Sequence, residues 1–523
     1  MILLSLPGSR CALRSAARLV SQNRCFEIRR AASVSALPAA LLALVLCFGA
    51  PCRQVAAVEF QALKYFTNAD GAHPFSNLIQ GSDGKLYGTT VTGNNNTDHD
   101  TIFRIDTDGS DFTVLKEFDS PNTGANCWGG LLLGSDGKLY GTTYYGGSGS
   151  AGTVFKMNQD GTGFTVLKNF DASTTGGASY APLIQGGNGV LYGTTYVGGT
   201  GNAGTVFKLN PDGSGFTVLK HFSNSTTGGH PTAAVTLGPD GALYGTAYHG
   251  GSSLVGTIFK INTDGSGFTV LQHLDAATTG AHPQAGLLLG SDDALYGTAS
   301  EGGDFEAGTV FKLNSDGTGF TLLKSLDSAV DGAYPCAALI QGGSGKLYGT
   351  TIRGGSHDWG TVFEMDTDGT GYRAVKRFDY ATTGGWVYAG LVQGNDGALY
   401  GAAAYGWDDN FGTLFRLVPT ENTAPTAVPD CGQVYLGETA YLAGSASYDD
   451  DTPSASLVYD WSFLSIPSGS TATLDDATTA TPSFTADVNG IYHIQLIVTD
   501  EDGVSSAPVT LRIRPFLLDS GLE

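Results

Sequence analysis

The stretch GKLYGTT (Gly84–Thr90) decides the fold, because the chain writes it seven times. It returns as GKLYGTT at 137–143, VLYGTT at 190–195, ALYGTA at 242–247 and 294–299, KLYGTT at 346–351 and ALYGAA at 398–403. The tyrosines are 53 residues apart once and 52 apart five times. A second phrase, GTVFK, keeps a spacing of 52 throughout, from Phe103 to Phe415. A third, FTVLK, does the same from Lys64 to Lys376, with Gln272 in place of the fifth lysine. The extra residue therefore falls between Tyr87 and Phe103.

Each unit reads as four short strands rich in Val, Phe, Tyr and Thr, and no run carries a Gly-free helical stripe. In the second unit the strands are expected near Gly129–Leu133, Lys138–Tyr144, Thr153–Met157 and Phe164–Phe170. Tight turns, GSDG and NQDGTG, join the first pair and the second pair; Asp and Gly are the residues such turns favour. A long repeat of this kind points to a stacked array. Four antiparallel strands repeated seven times specify an all-β, seven-bladed β-propeller, in which stacking buries both faces of every blade.

The phase of the repeat predicts closure. Residues 58–66 (VEFQALKYF) copy the fourth strand, whereas the last unit stops after a third strand at Gly412–Leu417. Pairing the two ends completes the seventh blade and removes the open edges.

The phrases DGKLYGTT…GG…GTVFK…DG(S/T)GFTVLK resemble the bacterial GloVer tandem repeat of secreted proteins. That resemblance covers about 58–418 and implies a propeller-like repeat and export, but no reaction. After a linker at 419–423, residues 424–515 alternate apolar and polar, which predicts about seven strands of an Ig-like β-sandwich. NTAPTA, YDWSF and FTADVNGIYHIQLIVTDEDG resemble the PKD (polycystic kidney disease) domain, with Trp461 as its buried aromatic. The resemblance implies a calcium site in the loops, for which Asp449, Asp451, Asp500 and Asp502 are the candidates; hard oxygen donors suit Ca²⁺. Residues 516–523 form a tail.

The first 57 residues read as an export signal. Six arginines precede the apolar run Ala36–Ala50, and Val55-Ala56-Ala57 fits a cleavage site. The chain carries a formal charge of −22; without those 57 residues, 20 basic and 48 acidic residues leave −28. Such a body repels nucleic acid and anionic membrane. Cys127, Cys336 and Cys431 lie far apart and predict no disulfide framework.

Two kinds of connection vary among the units: the loop after LYGTT and the link from one blade to the next. In an antiparallel blade both emerge at the same end, so function is expected on that face. Fourteen residues before each tyrosine stand His73, Asn126, Ala178, His230, His282, Tyr334 and Trp386. They are expected to ring the propeller mouth, all but Ala178 as ligand-binding residues. Small residues, Ser76, Gly129 and five alanines, follow where seven strands crowd the axis.

The sequence contains no G-x-S-x-G or H-E-x-x-H motif, so no catalytic residue is assigned. The expected protein is a secreted, periplasmic or cell-surface monomer that binds a glycan or an extracellular protein partner. No cofactor is required, Ca²⁺ in the C-terminal domain apart. A secreted carbohydrate-active hydrolase or lyase, and a structural module of the envelope, are the alternatives at this stage.

Overall fold

In the computed structural model of the chain, the LYGTT residues of the repeated stretch divide the packing among them. Leu86 and Tyr87 are fully buried between neighbouring sheets. The Tyr87 hydroxyl donates to Asp83 of the tight turn at 2.8 Å, and four other repeats copy that bond at 2.8 to 3.0 Å. Gly88 leaves room for the Phe103 ring; a Cβ there would stand 2.5 Å from its Cζ. Thr89 donates across to the Cys127 carbonyl of the next sheet at 2.8 Å. The Thr90 hydroxyl pairs with that of Thr101 at 2.8 Å.

The structure describes residues 59–91, 100–406, 410–419, 424–448, 457–500 and 504–516. The expected export segment lies outside them. Among the described residues the repeats form seven four-stranded antiparallel sheets, arranged as a β-propeller. The first is Ile79–Gln80, Leu86–Thr90, Thr101–Ile105 and Thr113–Glu117, from the axis outward. In the second unit three strands are shorter than expected: Leu131–Leu133 rather than Gly129–Leu133, Lys138–Thr142 rather than Lys138–Tyr144, and Thr165–Asn169 rather than Phe164–Phe170. Crowding at the axis bends the chain out of strand geometry before Leu131.

Closure follows the repeat phase. Glu59–Tyr65 forms the outermost strand of the last sheet, with Glu59 opposite Val418 and Tyr65 opposite Thr413. Leu63, Phe66, Leu78 and Phe103 then share one buried cluster with Ala398, Tyr400 and Leu414. Hydrogen bonds complete the same seam. Asn77 Oδ1 accepts from Gly390 N at 2.6 Å, and Gln80 Oε1 accepts from Asn395 N at 3.0 Å.

Two single helical turns, Asn68–Asp70 and Ser120–Thr123, interrupt the all-β pattern in connections between sheets. No helical period announces them, because each is a single turn; in the first, the Asp70 carboxylate accepts from Thr67 N and Oγ1.

The C-terminal module has two three-stranded sheets among the described residues, fewer strands than the seven or so expected. One holds Asp430–Cys431, Thr439–Ala443 and Ser483–Thr485; the other holds Val458–Ser465, Tyr492–Thr499 and Val509–Ile513. Short segments such as 426 and 448 pair only as isolated bridges, so their alternation builds no full strand. Trp461 is buried in the core as expected, and its indole N–H donates to the Thr479 carbonyl at 3.1 Å.

A belt of cation–π contacts ties the outer strands of the propeller together. The ammonium groups of Lys64, Lys116, Lys168, Lys220, Lys324 and Lys376 lie 4.2 to 5.3 Å from an aromatic ring of the following sheet. At the remaining junction the equivalent residue is Gln272, in line with Phe320. Gln272→Lys should therefore complete the belt and add about 0.5–1 kcal/mol, the usual worth of an exposed cation–π pair. Chemical denaturation checks this; an unchanged or lower midpoint would show that the belt does not stabilise the ring.

Candidate functional site

The link from one sheet to the next ends in the same backbone contortion seven times. His73, Asn126, Ala178, His230, His282, Tyr334 and Trp386 all have φ between 54 and 58°. That left-handed region is costly for residues other than glycine, on the order of 1–3 kcal/mol each. It persists because each N–H is anchored on the preceding sheet. His230 N donates to Ala203 O and His282 N to Val255 O, both at 2.7 Å; Trp386 N donates to Trp359 O at 2.9 Å. Asn126 N instead donates to the Asp100 carboxylate at 2.5 Å.

The contortion turns these side chains sideways into the junction between sheets. His73 Nδ1 donates to Ala404 O, His230 Nδ1 to Tyr196 O and His282 Nδ1 to Tyr248 O, at 3.0 to 3.1 Å. Ala178 is buried, Asn126 and Trp386 are half-buried, and Tyr334 is exposed. None of the seven lines the central depression; His73, His230, His282 and Trp386 instead contact neighbouring sheets.

The residue two places further on reaches the axis instead. Phe75, Trp128, Tyr180, Thr232, Gln284, Cys336 and Tyr388 line a central depression of about 330 Å³, with Tyr196 and Tyr248 at its wall. Below them the small residues expected at the axis enclose a further space of about 150 Å³. This mouth ring was missed by sequence reasoning. One signal was available: the residue just before each small axial residue differs chemically in almost every unit.

The mouth has two unlike halves. One is an aromatic arc. The ring centroids of Phe75 lie 5.1 Å from Tyr388 and 4.6 Å from Trp128, which is 6.0 Å from Tyr180. The other half is polar. Thr232 Oγ1 donates to Gln284 O at 3.0 Å, and Gln284 Nε2 donates to Ser300 Oγ at 3.1 Å. Burial, aided by the Glu301 charge, pushes the Cys336 thiol far above its ordinary range, so it stays protonated at neutral pH. The residues that line the depression stack and hydrogen-bond without carrying charge.

Imidazoles back the polar half. The His249 ring stands 5.6 Å from His230 and 5.2 Å from His282, whose Nε2 is 3.9 Å from Glu301. Burial lowers the His249 pKa, and His282 and His230 lower it further, against the Glu301 carboxylate. Burial also lowers that of His73, against its bond to Ala404.

The variable face carries every highly exposed large apolar side chain of the propeller's described residues: Tyr145, Leu254, Phe305, Val330 and Tyr334. Of the expected metal ligands, Asp449, Asp451 and Asp502 lie outside the described residues. Asp500 is buried, and its Oδ1 accepts from Val504 N at 2.8 Å. Among the described residues no helix is long and apolar enough to cross a membrane.

Residues 53–253 and 230–433 match the Gloeobacter/Verrucomicrobia repeat, and residues 431–513 match a PKD domain. No curated protein is matched. Among solved structures, the chain is similar to the extracellular domain of what is described as a hybrid two component system, BT3049 from B. thetaiotaomicron. The identity is 12% and the TM-score 0.56, over 88% of this chain and 58% of that one. The extracellular domain of BT4673 from the same organism is 13% identical with a TM-score of 0.46, over 88% and 59%. The chain thus spans less than two thirds of either, and at such identity the first likeness bears on the fold alone.

The histidine geometry has a consequence for pH. Folded His249 and His73 resist protonation, whereas in the unfolded chain they take up protons near the ordinary value of about 6.5. Their contribution to stability is complete above that value and is lost as pH falls toward their lower folded values. The melting temperature should drop as pH falls below about 6.5, and the drop should be smaller in His249→Gln. An identical drop in the variant would remove His249 from the account.

Proposed function

The chain belongs to the Gloeobacter/Verrucomicrobia repeat family, and on that footing we propose that it is a secreted or cell-surface binding protein that takes a glycan at the propeller mouth. The observation that carries this reading is the uncharged depression of about 330 Å³, half aromatic and half amide and hydroxyl. A pyranose ring has an apolar face that stacks on aromatic rings and an equatorial rim of hydroxyls that needs donors and acceptors. Concave sites with a few placed polar groups are where small ligands bind. The negative charge of the chain favours neutral over anionic glycans. The similarity to bacterial extracellular domains supports an exported location.

The Asp449, Asp451, Asp500 and Asp502 loops of the PKD domain belong to the same proposal as a calcium site. Carboxylate oxygens supply the hard donors that Ca²⁺ requires. Added calcium should raise the melting temperature of the protein and a chelator should reverse it; a melting temperature indifferent to both would dismiss the site.

The mouth is tested on a glycan array with the wild type, Trp128→Ala and Tyr180→Ala. Each truncation removes a stacking surface worth about 1–1.5 kcal/mol, so affinity should fall roughly tenfold. His230→Ala, which loses a junction bond rather than a mouth group, should lower the melting temperature with affinity retained. Binding that survives both aromatic truncations unchanged would place the ligand elsewhere.

A further inference from the structure

One junction carries more aromatic surface than the fold requires. Position for position, Trp359 stands where other repeats have Ala151, Ala203, Val255 and Ala307, with Phe411 in the last. Its backbone task is shared: its carbonyl accepts from Trp386 N at 2.9 Å, as Ala151, Ala203 and Ala307 accept from the residues equivalent to Trp386. Its ring packs in part against the buried core of the junction, where those alanines also suffice, and the rest stays open. Tyr380 stands where the chain elsewhere has Ser120, Ala172, Asn224, Ala276 and Ser328. Trp386 stands where Ala178 suffices. Three large rings thus replace small or unrelated residues at the junction of the sixth and seventh sheets.

These rings join the mouth. Tyr380 lies 4.7 Å from Trp359, which lies 5.9 Å from Trp386. Trp386 is 5.0 Å from Tyr405, Tyr405 is 5.8 Å from Phe75, and Phe75 is 4.6 Å from Trp128. All six are half-buried, so each keeps surface toward solvent. Trp359 rests on Gly385, where a Cβ would stand 2.8 Å from its own. Beside the line, the exposed Arg353 guanidinium lies 5.2 Å over the Trp386 ring and 3.6 Å from Asp358.

From this we infer that the propeller binds its glycan as an extended chain, laid along the aromatic line from the central depression out to the junction of the sixth and seventh sheets. The inference rests on the glycan reading of the mouth. Successive sugar rings stack on the aromatic faces, and Arg353 and Asp358 meet hydroxyls at the outer end. Specificity for a polymer over its monomer then comes from Trp359 and Tyr380.

The test is a ladder of neutral gluco-, manno- and xylo-oligosaccharides, from disaccharides upward, titrated against the full chain. Affinity should rise at least about tenfold from the shortest bound member to the longest, the equivalent of one good stacking contact. Trp359→Ala and Tyr380→Ser should flatten the upper part of the ladder and leave the disaccharide unchanged. Trp128→Ala should weaken every length. Both outer substitutions copy residues that other repeats carry, and a cooperative thermal transition verifies that they fold. Affinity indifferent to length, or a ladder unaffected by the two outer variants, overturns the extended site and leaves the mouth reading standing. A wild type that binds no ladder overturns both.

Discussion

The propeller depends on one small hydrogen bond repeated around the ring. The first threonine of GTT donates to a carbonyl on the segment that leads into the innermost strand of the following sheet, as Thr89 to Cys127, Thr142 to Ala181, Thr194 to Ala233, Thr246 to Ala285 and Thr350 to Ala389. These hydroxyls are buried, so each would cost free energy if left alone. The bond also sets the distance between inner strands. A wider ring would break all of them together, and a narrower one would drive the small axial residues into one another. Everything at the mouth inherits that spacing.

The closing junction departs from the rule in a way that fits its history in the chain. In the last repeat Ala402 and Ala403 replace both threonines. Asn77 now supplies the bond across the seam, through its own amide oxygen to Gly390 N. The second loss has no substitute: Thr413 Oγ1 is buried without a hydrogen-bond partner, where Thr101, Thr153, Thr205 and Thr361 each pair with a threonine. Closure rests on apolar burial at the seam and on the paired Glu59–Tyr65 strand.

How much of this was legible in the sequence divides along the same line. Strands, turns and closure follow from periodic side chains, and GKLYGTT carries them because Tyr, Gly and Thr each answer a packing need that recurs. The mouth was misread by two residues for a physical reason. A left-handed backbone is written plainly by glycine, but here His, Asn, Ala, Tyr and Trp adopt it. The carbonyl of the preceding sheet imposes it, and that partner is distant in sequence. Without the kink, His73 and its equivalents would face the axis; with it, Phe75 and its equivalents do.

Seven copies of one unit also separate what the fold needs from what it merely tolerates. Where all copies agree, as at Tyr87, Gly88 and Phe103, a substitution meets buried surface on every side. Where they disagree, the smallest residue found shows the structural requirement. Ala178 satisfies the kink and Ala151 the carbonyl anchor, so the open parts of the Trp386 and Trp359 indoles exceed what those two tasks ask. Half-buried aromatic surface that stability does not require invites nonspecific association. Its concentration on one radius of one face, continuous with an uncharged central depression, is the arrangement that a ligand longer than the mouth would demand.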